Sequence, residues 1–378
     1  MPPQSQSYME TLEPIAAGIV AASAIEIDQT GAYPRAALTA LGEAGLLGLV
    51  SAKDVGGMGL GQRAAAMVVE RLARECASTA MVVCMHYAAA AVIEAHGPRE
   101  VRAAIAAGKH VSTLAFSEAG SRSHFWAPVS TASAVSGNGH VTLDAKKSWI
   151  TSAGEADSYV WSSKPMAVEG ASTIWLVPSK AAGLRVMGPY KGLGLRGNAS
   201  SPVSAQAVAV EQAAMLGADG QGFDIMMGIV LPYFQSMNAA MSVGTMQAAT
   251  AKAAAHVSGT KLEHLGSSLA DLPTIRAYVA RMQIKTDMAR ALLLDAFEAL
   301  ESGRADTMLR VLEVKAAAGE AATEVTDLAM RVCGGAAFRQ EVGVERNFRD
   351  ARAATVMAPT TDVLYDFIGK AVCGLPLF

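Results

Sequence analysis

The period of the apolar residues changes twice along these 378 residues, and that double change limits the fold more than any single motif. From Met9 to about Gly108 the spacing is helical: Pro34 stands just before Arg35, a favourable helix start, and apolar residues then recur at three- and four-residue steps. A glycine-rich break, Gly56 to Gln62, precedes a further helical run expected to reach from Arg63 to Ala95. From about Ser112 to Val210 the pattern turns to short runs of valine, threonine and tryptophan between glycine-bearing turns. A hairpin is expected around Gly137-Asn138-Gly139, with further strands at 172–178, 184–190 and 201–210. After Gly222 the helical period returns. Val311, Val314, Ala318, Ala321, Val325, Leu328 and Val332 mark one long helix, and Ile275, Val279, Met282, Ala289, Leu293 and Ala296 another. Such helices joined by short connections predict an up-and-down bundle. The expected organisation is therefore α+β but mainly α: a helical domain over 1–111, a β domain over 112–214 and a four-helix bundle over 215–378.

Composition adds limits on partners. Apolar residues make up 51% and charged residues 17%, rich in alanine, which predicts close helix packing and apolar area hidden between subunits. With 31 basic and 34 acidic residues the net charge is −3, and no basic stripe stands out, so nucleic acid is not an expected partner. Cys76, Cys84, Cys333 and Cys373 lack CxxC or Cys/His spacing, which argues against structural zinc and a disulfide framework; no metal is expected. The N-terminus lacks a basic-then-apolar leader pattern, and the apolar stretch from Ala80 to Ile93 is shorter than the roughly 20 residues that span a bilayer. A soluble, cytoplasmic protein without membrane contact is the expectation.

Three segments at the joints of this α–β–α order carry specific chemistry. Phe116-Ser117-Glu118-Ala119-Gly120-Ser121-Arg122-Ser123-His124 resembles the TEPxxGSD loop of the acyl-CoA dehydrogenase family, and Lys147-Ser148-Trp149-Ile150-Thr151-Ser152 resembles its KxWITN strand. Gly334-Gly335-Ala336-Ala337-Phe338, Val344-Glu345-Arg346 and Arg349-Asp350-Ala351-Arg352 resemble its GGxGF…VER…RDAR stretch. The resemblance covers essentially the whole chain. It implies a flavin, FAD or alternatively FMN, held by Phe116, Ser117, Ser123, Trp149, Thr151, Arg331, Gly334, Gly335 and Thr360. It also implies a homodimer or homotetramer acting on a small substrate of the acyl-CoA type. The hydroxyls and the indole suit a flavin, whose hydride chemistry belongs to the cofactor while the protein tunes and orients it.

The resemblance fails at one position that matters chemically. Most of the family removes the substrate α-proton with a glutamate after the RDAR stretch; Ala358 stands there, followed by Pro359 and Thr360. Some members carry the glutamate on the first bundle helix, where Tyr233 stands here, a phenol with an ordinary pKa of about 10. His86 and Asp362 are the candidate replacement bases. Asp362 could alternatively favour a helix N-terminus, and His86 could be a satisfied core residue. The region that in the family grips the adenosine half of FAD also departs, with Ser258 to Gly266 altered and Pro273 where a glutamine is expected, and His124 replaces an aspartate. The expected function is oxidation of an acyl thioester with hydride transfer to FAD and a non-standard base. A flavin monooxygenase on the same scaffold and a non-catalytic subunit of a heteromeric dehydrogenase are the alternatives.

Overall fold

A computed structural model describes residues 3–121, 123–135 and 139–377, with side chains from Tyr8 onward. The chain forms two compact units. The first comprises Met1–Val68, Met81–Lys191 and Arg196–Phe234; the second comprises Val69–Ala80, Gly192–Leu195 and Gln235–Phe378.

The N-terminal helices are α1 (Pro3–Pro14), α2 (Ala21–Thr30), α3 (Arg35–Glu43), α4 (Gln62–Ala73), α5 (Ala77–His96) and α6 (Arg99–Ala106), with a π-turn at Ile15–Val20 joining the first two. Helix α3 starts directly after Pro34, as its sequence predicts. The expected single run from Arg63 to Ala95 is instead broken at 74–76. The break is a tertiary effect: the Glu75 carbonyl it frees accepts a hydrogen bond from Arg346 at 2.9 Å, and Arg71 pairs with the Glu75 carboxylate at 2.9 Å. Helix α5 also outruns the Ala80–Ile93 stretch. At 20 residues it is long and apolar enough to cross a membrane, but it is buried inside the protein, so packing rather than length gives its role as a core helix.

Two four-stranded sheets follow. One has the order β1 (Ser112–Ala115), β4 (Ser158–Ser163), β5 (Thr173–Pro178), β8 (Met215–Leu216); the other is β2 (Thr131–Val135), β3 (His140–Ile150), β7 (Ser201–Glu211), β6 (Leu184–Val186). Among the described residues, β1–β4 is the parallel strand pair of these two sheets, and the other pairs are antiparallel. Their inner faces share one core, including Val141, Leu143, Tyr159, Trp161, Trp175 and Val203. The expected hairpin is the β2–β3 pair, Val135 opposite His140; Gly137 and Asn138 of its turn lie outside the described residues.

The remaining helices are a single turn, α7 (Gly222–Ile225), then α8 (Leu231–Gly259), α9 (Pro273–Ser302), α10 (Thr307–Cys333), α11 (Val344–Ala351), α12 (Ala353–Val356) and α13 (Thr361–Val372). The expected faces are observed for most of their length, although Ile275 and Val279 of α9 and Ala321 of α10 are only half-buried. Met282, Ala289, Leu293 and Ala296 of α9 are buried, as are Val311, Val314, Ala318, Val325, Leu328 and Val332 of α10. Pro273, placed where the resemblance leads one to expect a glutamine, is the first residue of α9, after a Ser268–Asp271 capping box. Gly244 lets α8 approach α4: a Cβ there would collide with the Glu70 carbonyl oxygen.

Candidate functional site

The first part of the site is built where β3 ends. Lys147 pairs with Val203 and Ile150 with Ser201, so Ser148 and Trp149 together oppose Pro202. This is a β-bulge, and a proline, having no N–H to offer the ladder, is a natural partner for it. Trp149 takes a left-handed backbone, φ +56°, a conformation that costs a bulky residue of order 1–3 kcal/mol. Its indole is 69% exposed, with an edge-on contact to Tyr190 at 6.5 Å. Thr151 follows, buried, and Ser152 is again left-handed at φ +58°. Ser152 is pinned by its N–H to the Asn198 carbonyl at 2.9 Å and by the Tyr33 hydroxyl at 3.0 Å. Local sequence alone would not hold two such residues in this geometry; long-range hydrogen bonds do.

The loop from Phe116 to Ser123 lies beside this strand. The Ser148 N–H donates to the Ser117 carbonyl at 2.9 Å, and Glu118 bridges antiparallel to Lys147. Under that seam sits a fully buried ion pair. The Lys147 ammonium donates to Glu118 Oε1 at 2.6 Å, to the Ser162 carbonyl at 2.7 Å and to Ser162 Oγ at 2.9 Å, with Trp161 5.1 Å away for a cation–π contact. Glu118 also accepts from the amides of Val129 and Ser130 and from Ser130 Oγ at 2.6 Å. Burial alone would raise the Glu118 pKa, but the Lys147 charge and these hydrogen bonds outweigh it and hold the carboxyl below its usual range. Both residues stand in the quoted motifs, yet nothing in a 29-residue separation links them; the pair was not legible as a pair.

Ser117 and Ser123 are half-buried in this loop, while His124 is exposed and edge-on to Trp126 at 5.1 Å. Phe116 is buried, its ring stacked on Phe125 at 6.4 Å in the core.

The second unit carries the other expected residues. Helix α10 ends at Cys333, with Gly334 in a glycine-favoured conformation at φ +57°. A Cβ on Gly334 or Gly335 would meet nothing within 4 Å, so the chain's own packing does not require Gly335 to be glycine. Arg331, on the last turn, is exposed with its guanidinium over the Tyr278 ring at 5.0 Å. Thr360 is the N-cap residue of α13, and Asp362 lies exposed in that helix's first turn, where a carboxylate favours the helix dipole. The segment around Ala358 is gripped from below. Lys315, buried on α10, donates to the Met357 carbonyl at 3.0 Å and the Pro359 carbonyl at 2.8 Å, and burial pushes its pKa down to about 7. Sequence spacing gave no sign of this lysine.

His86, a candidate base from sequence, has another use. It is completely buried; Nε2 lies 3.0 Å from the Leu47 carbonyl, and Nδ1 receives the Ser112 N–H at 3.2 Å. With both ring nitrogens held by backbone, and burial lowering its pKa to about 4, it ties α5 to β1 and has no nitrogen left for a substrate proton. Tyr233 is half-buried, and burial raises its pKa, which leaves still less phenolate available to act as a base at neutral pH.

Family models match the chain consecutively: the N-terminal domain of acyl-CoA dehydrogenase over residues 2–108, its middle domain over 113–208 and its C-terminal domain over 220–373. The chain is 27% identical to a probable acyl-CoA dehydrogenase, YngJ, of Bacillus subtilis, over 95% of each protein. It is 28% identical to the human mitochondrial short-chain specific acyl-CoA dehydrogenase, over 96% of this chain and 88% of the relative. The butyryl-CoA dehydrogenase of Megasphaera elsdenii has the same fold, with a TM-score of 0.92 at 22% identity over 99% of both chains. From its N-terminal helices to its C-terminal bundle, this chain belongs to the acyl-CoA dehydrogenase family of flavin-dependent oxidoreductases.

Proposed function

We propose that this protein oxidises an acyl thioester of the acyl-CoA type, with FAD as the hydride acceptor, and that it does so without the glutamate usual in its family. The observation that carries this reading is the strained, exposed Trp149 beside Thr151 and the Ser117 loop, an aromatic wall with hydroxyls that the fold holds ready. Two features fit a flavin: an indole left largely uncovered despite the backbone strain that presents it, and glycines at 334 and 335 around which the chain leaves open space. On this reading Trp149 flanks the ring, Thr151, Ser117 and Ser123 supply hydrogen bonds, and Gly334 and Gly335 with Arg331 and Thr360 meet the cofactor in an oligomer of two or four copies. When bound, FAD supplies the acceptor for the substrate β-hydride.

The chain's own task is to take the α-proton. Ala358 has no acceptor, His86 is tied on both nitrogens, and the Tyr233 phenol is a weak base. Asp362, four residues past Ala358 and exposed on the first turn of α13, is the carboxylate this segment offers. Replacing Asp362 by Asn tests the assignment in an anaerobic flavin-reduction assay with short acyl-CoA thioesters. As the base, its loss lowers kcat by about 10² to 10⁴ with the melting temperature nearly unchanged. A kcat within threefold of wild type would reduce Asp362 to a helix-end charge.

The uncharged Met357-Ala358-Pro359 segment also favours a second reading, a flavin monooxygenase that needs no such carboxylate. Oxygen consumption with reduced FMN, absent any acyl-CoA oxidation, would select it. Full flavin occupancy without turnover until a sister chain is added would instead indicate a non-catalytic subunit. A cytoplasmic location completes the proposal.

A further inference from the structure

Within the second unit, α10 packs along both α12 and α13 and so underlies the stretch that joins them. One turn past Lys315, Gly319 comes so near α12 that a Cβ there would touch the Ala354 and Thr355 methyls at 3.5 Å. Lys315 itself reaches the main chain on both sides of Ala358, through the Met357 and Pro359 carbonyls. At the end of the stretch α13 begins: the Thr360 carbonyl accepts the Leu364 N–H at 2.9 Å, and Asp362 stands in the first turn. The Tyr365 phenol, one turn further on, is pushed up to about 12 by burial and by the Glu320 carboxylate of α10. One helix thus bears on residues 354–355, 357–359 and 365.

A lysine is a costly way to hold two carbonyls. Lys147, also fully buried, has the Glu118 carboxylate to answer its charge. Lys315 has no such partner among the described residues, and burial alone pushes its pKa down to about 7. A neutral side chain would avoid that desolvation, so stability by itself gives little reason for an amine here. What the amine adds is geometry. In its protonated form its hydrogen bonds are shorter and about twice as strong as neutral ones, and two of them converging on one nitrogen fix the residue between their acceptors. That residue is Ala358, at the position from which most of the family takes the substrate proton.

We infer that Lys315 is a positioning residue of the active site: by holding the carbonyls on either side of Ala358 it fixes the start of α13, and so sets where Asp362 presents its carboxylate to the substrate. This rests on the acyl-thioester reading above, with Asp362 as the base. The Lys315 nitrogen is buried against backbone, so it acts through what it holds rather than by contact with substrate. Its loss leaves the substrate contacts in place and misplaces the base. A shift of about 1 Å at a reacting centre can lower the rate about a hundredfold. A residue that acts through another has no further effect once the other is gone.

The test is anaerobic flavin reduction by short acyl-CoA thioesters in the flavin-loaded wild type, Lys315→Met, Asp362→Asn and the double variant. Lys315→Met is expected to lower kcat about 10- to 100-fold with KM within about threefold, and the double variant to be slower than Asp362→Asn by no more than about twofold. Lys315→Gln, whose shorter amide still donates, carries the same comparison should Lys315→Met fail to fold. A Lys315→Met kcat within about threefold of wild type, or losses that multiply in the double variant, would overturn this inference and leave the Asp362 reading intact. A rise in KM at unchanged kcat would overturn it too, by showing a role in binding. An Asp362→Asn protein that turns over like wild type would overturn the assignment of Asp362 and this inference together. No reduction in wild type would overturn the acyl-thioester reading, and this inference with it.

Discussion

Replacing Lys147 by Met tests the seam that fixes the Ser117 loop against the Trp149 strand. At the observed 2.6 Å and an effective dielectric of about 20, the attraction between Lys147 and Glu118 is about 6 kcal/mol. Desolvation of two fully buried charges, several kcal/mol each, offsets most of that, so the pair as a whole adds little net stability. Removing one partner is a different matter. Methionine fills the volume but leaves the Glu118 carboxylate buried with only the Val129 and Ser130 donors, and strips the Ser162 carbonyl of its ammonium. The expected loss is about 3–5 kcal/mol, a large part of the stability of an ordinary domain. Guanidinium unfolding followed by circular dichroism would read this as a fall in midpoint at constant slope. The double variant Lys147→Met, Glu118→Gln should recover part of the loss, giving a coupling energy of about 1–3 kcal/mol. A single-variant loss under about 1 kcal/mol, or strict additivity in the double variant, would refute the claim that the pair is dry and mutually dependent.

The same carboxyl predicts a pH dependence. Its pKa is lowered by folding, so its contribution is complete above the unfolded value of about 4.3 and is lost as pH falls through the folded value. Unfolding midpoints measured from pH 7 downward should therefore decline on the acid side, and Glu118→Gln should flatten that decline. Gly244→Ala should destabilise by about 1–3 kcal/mol, because the added methyl meets the Glu70 carbonyl rather than a movable side chain; thermal unfolding reads the effect. Trp149→Ala should weaken flavin binding about tenfold in fluorescence titration with little change in melting temperature, since the indole is mostly exposed. An equal loss of stability would show the indole to be packing rather than platform.

What the sequence revealed and what it hid follow from the range of the forces involved. Periodicity is local, so the buried faces of α9 and α10 and the change to strands near Ser112 could be read directly. Pro34 announced α3 because proline acts on its own backbone. The helix break at 74–76 was hidden because the Arg346 that satisfies it lies 271 residues from Glu75. For His86 the sequence left open a candidate base and a satisfied core residue; the Leu47 carbonyl and Ser112 amide on its two nitrogens, both distant in sequence, decide for the second. Lys315 was hidden for a related reason: a polar residue inside a helical pattern does not disclose whether it meets a carbonyl, a water or nothing.

Pro202 opposite the bulge has a consequence for how fast the cofactor can be captured. A proline removes a ladder hydrogen bond whether or not a bulge is present, so the irregular backbone at Ser148 and Trp149 gives up little that an ordinary strand pair would have kept. The distortion is thus built during folding rather than at the moment of binding. A flavin arriving at this face meets an indole already turned outward, and no conformational step need precede capture. Association should then follow a single phase whose rate rises linearly with flavin concentration, as for a preorganised surface.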